Sequence, residues 1–164
     1  MKKRKIDDQF ADYVMEHKHS FYRLSYSYVK NSEDAMDVVQ EAIHKALKSV
    51  HRLEDATKMH SWFYKIVVNA ALDFLRKKKR VQVTDDDTLE FLSQGESDVY
   101  EDQDVRRAIE DLPEMYRVII ILRFFEDLKL EDIAHILGEN ENTIKTRLYK
   151  ALRLLKVELS QEEI

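Results

Sequence analysis

Apolar residues recur at three- and four-residue spacing along most of the chain, the period that lines one face of a helix. Phe10, Tyr13, Val14, Phe21, Leu24 and Tyr28 predict a first helix, in one or two segments, over about Asp8–Lys30. Asn31-Ser32-Glu33-Asp34 offers a cap for a second amphipathic helix, with Ala35, Val38, Val39, Ala42, Ile43, Ala46, Leu47 and Val50 on its apolar face. A polar loop, His51–His60, follows. Ser61 is then expected to cap a third helix with Trp62, Phe63, Ile66, Val67, Ala70, Leu72 and Leu75 turned inward and Arg76-Lys77-Lys78-Lys79-Arg80 at its end.

The period lapses from Val81 to about Glu101, where Thr84-Asp85-Asp86-Asp87-Thr88 and Ser93-Gln94-Gly95-Glu96-Ser97-Asp98 read as a linker with room for a short helix around Leu89–Leu92. It resumes with Val105, Ala108, Ile109 and Leu112, stops at Pro113, and continues over Glu114–Phe125. Two further helices, from Lys129 or Leu130 to Leu137 and over about Asn142–Leu159, flank Gly138-Glu139-Asn140. That glycine stands where a helix end turning left-handed needs one. A helix pair joined by such a turn has the helix-turn-helix pattern.

Composition narrows the class. The 164 residues include two glycines, one proline and no cysteine. So little turn chemistry disfavours a many-stranded sandwich or barrel, and an all-α fold of two small helical domains joined by a flexible acidic linker is expected: 8–80, a linker over 81–101, and 102–160. Disulfides and thiolate metal sites are excluded, in keeping with a reducing compartment. Met1-Lys2-Lys3-Arg4-Lys5 runs into acidic residues with no apolar segment behind it, unlike a signal peptide, and the longest apolar run, Val118–Leu122, is far too short for a membrane span. A cytoplasmic protein is expected.

The net charge of -5 counts against a nucleic-acid partner only until it is divided. Residues 1–80 hold 17 Lys/Arg against 11 Asp/Glu, residues 81–110 hold 2 against 10, and residues 111–164 hold 8 against 11. The first lobe is therefore basic, and the acidity is concentrated around the linker. There it can screen basic faces nearby or act as a spacer.

Three features carry candidate chemistry. In the turn-linked pair, Ile133, Ala134 and Leu137 meet Ile144 and Leu148, and the outer face of the second helix carries Asn142, Thr143, Lys145, Thr146, Arg147, Tyr149, Lys150 and Arg153, a set suited to phosphates and base edges in a major groove. A helical hairpin with a solvated face would show the same residues. The helix from Ser61 to Arg80 joins aromatic residues, polar Asn69, Asp73 and Arg76, and five successive cations, which suits gripping a single strand as well as a capped core helix with a solvated tail. The segment Asp34-Ala35-Met36-Asp37-Val38-Val39-Gln40-Glu41 exposes carboxylates and an amide, a solvated face or an acidic docking surface. Catalysis fares worse. Glu41-x-x-His44 lacks the second Glu-x-x-His of a di-iron bundle, and no phosphate-binding glycine loop or nucleophile elbow is present, so no metal, cofactor or small-molecule substrate is expected.

Taken in order, Asp34-Ala-Met-Asp-Val-Val-Gln-Glu41, Ser61-Trp-Phe-Tyr-Lys-Ile-Val-Val-Asn69-Ala-Ala-Leu-Asp73-Phe-Leu-Arg76, an acidic linker, Leu112-Pro113-Glu-Met-Tyr-Arg-Val, Leu122-Arg123-Phe-Phe-Glu126, Glu131-Asp-Ile-Ala-His-Ile-Leu-Gly138 and Asn142-Thr-Ile-Lys-Thr-Arg147-Leu-Tyr-Lys-Ala151 resemble the bacterial sigma factors of the extracytoplasmic-function type. Essentially the whole chain is covered. The resemblance implies a subunit that directs core RNA polymerase to promoters, with no catalysis of its own. Lobe one would be region two. Its Asp34, Asp37, Val38, Gln40 and Glu41 would dock on the polymerase clamp, while Ser61, Trp62, Asn69, Asp73, Arg76 and Lys77 would meet the melted minus-ten strand. Lobe two would be region four, with Ala134, Gly138 and Ile144 forming the helix-turn-helix core. Asn142, Thr143, Lys145, Thr146, Arg147 and Lys150 would face the minus-thirty-five duplex. Many family members have glycine where this chain has Asn142, a residue that tolerates unusual backbone angles and caps helices. The resemblance also implies an anti-sigma partner, often membrane-bound. An ordinary transcription regulator is the competing class. It would need neither the acidic docking helix nor the strand-gripping one.

Overall fold

In a computed structural model, which describes the backbone of residues 2–84 and 103–162 and the side chains of 6–80 and 104–160, every described regular element is helical. The helices are α1 (Lys2–Val29), α2 (Ser32–Ser49), α3 (Met59–Thr84), α4 (Gln103–Asp111), α5 (Glu114–Ile120), α6 (Leu130–Leu137) and α7 (Glu141–Glu162). The short-helix expectation at Leu89–Leu92 and most of the expected linker lie outside the described residues. None of the described helices is long and apolar enough to cross a membrane.

Lobe one is a three-helix bundle. Helix α1 changes direction at His17, whose backbone leaves the helical region (φ -113°, ψ 15°), so of the one or two segments the sequence allows it has two. It ends with Lys30 in the left-handed region (φ 57°), and Asn31 then starts α2 by accepting the Asp34 amide on Oδ1 at 2.9 Å. The buried residues of α2 are small or β-branched, Ala35, Val38, Ala42 and Ala46, which lets α1 and α3 approach closely. Against them stands an aromatic core. Phe63 meets Phe21 edge-on at 4.7 Å and Phe10 at 5.2 Å, and Phe21 meets Tyr64 at 5.4 Å, contacts worth about 0.5–1.5 kcal/mol each beyond the area they bury.

Two expectations about α3 need correction. Ser61 is not its cap: Asp55 accepts the Thr57 amide on Oδ1, a short 3-10 turn at Ala56–Lys58 follows, and the helix begins at Met59. The loop therefore ends two residues early, with Met59 buried and His60 half-buried. At its other end α3 runs through 81–84, which the sequence reading placed in the linker.

In lobe two, Pro113 fixes the start of α5 and leaves its carbonyl to accept the Tyr116 and Arg117 amides. The expected single helix Glu114–Phe125 is interrupted. Ile121–Phe125 forms one π-helical turn, closed by the Glu126 amide on the Ile121 carbonyl at 3.0 Å. The wider turn leaves Phe124 and Phe125 exposed and Glu126 buried. Between α6 and α7, Gly138 is left-handed (φ 71°) as expected, and the Gly138 and Glu139 amides close on the His135 and Ala134 carbonyls in a Schellman ending. Asn140, not Asn142, caps α7, accepting the Thr143 amide on Oδ1 at 2.8 Å. Asn142 lies in the first helical turn.

The lobes are packed on each other. Helix α1 meets α5 and the π turn, and α3 meets α6, so that Val67, Val68, Ile119, Leu122 and Ile133 belong to one continuous apolar core.

A Cβ at Gly138 would meet open space, so the cost of a side chain there is the left-handed backbone alone. Gly138→Ala is expected to lower stability by about 1 kcal/mol and Gly138→Asn by less, as read from urea unfolding midpoints.

Candidate nucleic-acid interface

The outer face of α7 follows from its packing. Ile144, Leu148 and Ala151 point into lobe two and are buried, which leaves Asn142, Lys145, Thr146, Tyr149 and Lys150 exposed, with Thr143 and Arg147 partly covered. Ala134 and Ile144 are buried where α6 and α7 cross, and Gly138 forms the turn, so the expected helix-turn-helix core is present. Arg147 is held 3.4 Å from Glu139, and Lys150 sits over the Tyr116 ring at 5.8 Å. Both are surface interactions in high dielectric. Either cation exchanges for phosphate at little cost.

Helix α3 carries the second cationic surface. Asn69, Arg76 and Lys77 are exposed; Ser61, Trp62 and Asp73 are half-buried. Trp62 packs edge-on against Phe10 at 5.9 Å while keeping part of its ring accessible, so it serves the core and remains available to a partner. Asp73 does not stand alone. It pairs with Arg76 at 2.7 Å and Lys45 at 3.5 Å.

The acidic face of α2 lies beside the basic end of α3. Asp34 is 3.3 Å from Lys78 across the two helices, and Glu41 is 3.9 Å from Lys45 within α2. Asp37, Gln40 and Glu41 are exposed and Asp34 is partly so. Val38 is the exception among the docking candidates. At 2% exposure it faces the bundle, because the same period that exposes Asp34, Asp37 and Glu41 turns it inward, and it anchors the helix rather than meeting a partner.

A polar cluster at the N-terminal end of α3 has no signature in the sequence. Tyr13 Oη and His60 Nδ1 are hydrogen-bonded at 2.7 Å, and the His60 and His17 rings are 5.7 Å apart. Two buried residues where the lobes meet carry no sequence signal either. Tyr64 donates to Glu126 Oε1 at 2.7 Å, and Arg117 donates from Nε to the Ser27 carbonyl at 2.8 Å and from Nη1 to the Leu112 carbonyl at 2.7 Å. Burial and then the Glu126 carboxylate push the Tyr64 phenol far up, so it stays a proton donor. Burial also pulls the Arg117 guanidinium below its usual value.

Residues 13–81 match the profile of Sigma-70 region 2 and residues 102–155 that of Sigma-70, region 4. The chain belongs to the sigma-70 family. Within it the relatives are extracytoplasmic-function sigma factors, which are DNA-binding transcription initiation factors and not enzymes. This sigma factor is 56% identical over 151 residues to RNA polymerase sigma factor SigV of Bacillus subtilis (strain 168), covering 92% of this chain and 91% of that one. It is 30% identical to the ECF RNA polymerase sigma factor SigW of the same organism, over 96% of this chain and 92% of the relative. In fold it is similar to the sigma factor RpoE solved in complex with the anti-sigma factor NepR from Bartonella quintana, with a TM-score of 0.80 at 24% identity over 93% of this chain and 97% of that one. It is also similar to CnrH in complex with the cytosolic domain of CnrY, with a TM-score of 0.69 at 18% identity over 97% and 92%.

In the sigma factor, burial and then the nearby His17 lower the His60 pKa below 6.5. The unfolded chain takes up this proton near pH 6.5, whereas the folded chain resists it to a lower pH. The stability that neutral His60 contributes is therefore full above pH 6.5 and is lost as the pH falls through 6.5 towards the folded value. Denaturant unfolding at pH 7.5 and 5.5 is expected to show a larger loss of stability for the parent than for His60→Gln.

Proposed function

We propose that this sigma factor binds core RNA polymerase through α2, recognises the minus-thirty-five duplex through α7, and holds the minus-ten strand along α3 while the promoter opens. The observation that carries this reading is the pair of cationic surfaces on separate lobes, one on a helix-turn-helix and one on an aromatic helix with a basic end. An ordinary regulator has use for the first only. Lys145 and Arg147 lie on the outer face of α7 within its first two turns, the part of a recognition helix that meets base edges, with Asn142, Thr143, Thr146 and Lys150 beside them. On α3, Asn69 and Asp73 present hydrogen-bonding groups to unpaired bases, Ser61 and Trp62 border the loop into which a flipped base would turn, and Arg76 and Lys77 meet the backbone.

Asp34, Asp37, Gln40 and Glu41 form the polymerase contact, an acidic surface for a basic one. The protein works where polymerase does, in the cytoplasm, and is released from an anti-sigma protein in response to stress. RpoE, whose fold it shares, was solved with the anti-sigma factor NepR, and CnrH with the cytosolic domain of CnrY.

Run-off transcription with purified core polymerase tests the assignment. Asp37→Arg is expected to weaken polymerase binding. Arg147→Ala is expected to leave that binding intact and to cost promoter selection about 1–3 kcal/mol, the worth of one arginine contact to a base or its adjacent phosphate. Loss of polymerase binding alone in both variants would refute the division of labour.

A further inference from the structure

Tyr13, His17 and His60 lie directly behind the face of α3 that the proposed function gives to the minus-ten strand. On that face Ser61, Lys65, Asn69, Asp73 and Arg76 recur at four- and three-residue spacing, with Trp62 beside its start. His60 and Tyr64 stand on the other side of the helix, towards α1. The His60 ring meets the Tyr64 ring edge-on at 4.9 Å and the Tyr13 ring edge-on at 5.6 Å.

The stretch between α2 and α3 has few ties to the bundle. Val50 and Met59 are buried at its two ends. Between them the hydrogen bonds are local: the Leu53 amide donates to the Val50 carbonyl, the Lys58 amide to the Asp55 carbonyl, and the Thr57 amide and hydroxyl to Asp55 Oδ1. Among the described residues, the hydrogen bond that ties this stretch and the first turn of α3 to another helix is the one between Tyr13 Oη and His60 Nδ1. The partner segment of α1 precedes the kink at His17, and it also brings Phe10 to within 5.9 Å of the Trp62 ring.

The direction of the bond follows from the phenol. Burial and then the Glu126 carboxylate push the Tyr13 hydroxyl far up, so it keeps its proton and donates it. Nδ1 of neutral His60 accepts, which leaves the imidazole proton on Nε2.

We propose that Tyr13 and His60 are positioning residues for the minus-ten strand: their hydrogen bond fixes the entry from the loop into α3, and with it the place of Ser61 and Trp62 when an unpaired base turns in beside them. Neither residue touches the base. The same bond makes the site sensitive to protons. An imidazolium has no acceptor nitrogen, so protonation strands the Tyr13 hydroxyl proton and sets a charge 5.7 Å from the His17 ring. The titratable and charged groups around His60 are Tyr13 and His17 of α1, Tyr64 of α3, Glu126 after the π turn and Asp132 of α6. Burial and His17 outweigh the two carboxylates and favour neutral His60. The bond is therefore whole at pH 7.5 and is lost as the pH falls below 6.5 towards the folded value. The inference rests on the proposed reading of α3, and the experiment separates the two.

Trp62 is the single tryptophan of the chain, so its fluorescence reports on this site alone. Tyr13→Phe keeps the ring and removes the donor, while His60→Asn keeps an acceptor near the Nδ1 position and does not titrate. In the free protein at pH 7.5, acrylamide quenching of Trp62 is expected to rise about twofold in Tyr13→Phe and to stay at the parent value in His60→Asn. Between pH 7.5 and 5.5 it is expected to rise in the parent and to stay level in His60→Asn. With core polymerase, opening of a promoter carrying 2-aminopurine in its minus-ten element is expected to fall about three- to tenfold in Tyr13→Phe, with helical content, polymerase binding and minus-thirty-five duplex binding unchanged. Parent opening relative to His60→Asn is expected to fall by a similar factor at pH 5.5. A merely structural contact would lower helical content or duplex binding together with opening. Parent-like quenching and opening in Tyr13→Phe, or parallel pH profiles for the parent and His60→Asn, would overturn the positioning role alone. A parent that opens no promoter refutes the proposed function, and the role of the pair falls with it.

Discussion

The run Val118–Leu122 has no polar face to turn to water, and the placement of everything around it follows from covering it on all sides. A helix apolar all round must be enclosed. In this chain α7 and α1 both pack against α5, and all five side chains of the run are buried. Lobe two alone supplies too few helices to close that surface. Lobe one completes it, and two units that would each stand near the lower limit for an independent core share one.

That shared core explains why its polar members are where they are. The π turn after Ile120 changes the phase of the helix, so that Phe124 and Phe125 are exposed while Glu126 is enclosed. A buried carboxylate needs donors, and those within reach are Tyr64 and Arg23 of the opposite lobe. Arg117 faces the same demand. One guanidinium nitrogen is satisfied within its own lobe by the Leu112 carbonyl and another across the seam by Ser27. Apolar area supplies the adhesion, and these few directional bonds determine which docking of the lobes is allowed.

How much of this the sequence revealed depends on the range of the interaction. The helices of both lobes were legible because each has a periodic apolar face, and Gly138 was legible because a short polar turn between two such faces needs one left-handed residue. Local capping was less so. Asp55 and Asn140 cap the turns that Ser61 and Asn142 were expected to begin, since several neighbouring polar residues could each serve and only the backbone path selects among them. The π turn left no periodic trace over five residues. The burial of Tyr64 and Glu126 was invisible, because a tyrosine in an aromatic row and a glutamate after two phenylalanines show nothing of a partner 62 residues away. The acidic stretch on α2 was found, but Val38 was read with its neighbours rather than by its own phase.

The same dependence on range applies to charge. The division into a basic first lobe and an acidic centre was visible by counting, yet it does not show that opposite charges inside lobe one are already paired. Asp34 with Lys78 and Lys45 with Asp73 join α2 to α3, while Glu41 with Lys45 and Asp73 with Arg76 are pairs within one helix. Each is an exposed pair worth about 0–1 kcal/mol and weakened by salt, so none holds the bundle together. Their effect is to leave both surfaces hydrated and partly compensated in the free chain. Under the proposed function, a basic protein surface competes for Asp34 and a phosphate backbone for Lys78, and each displaces only such a weak pair.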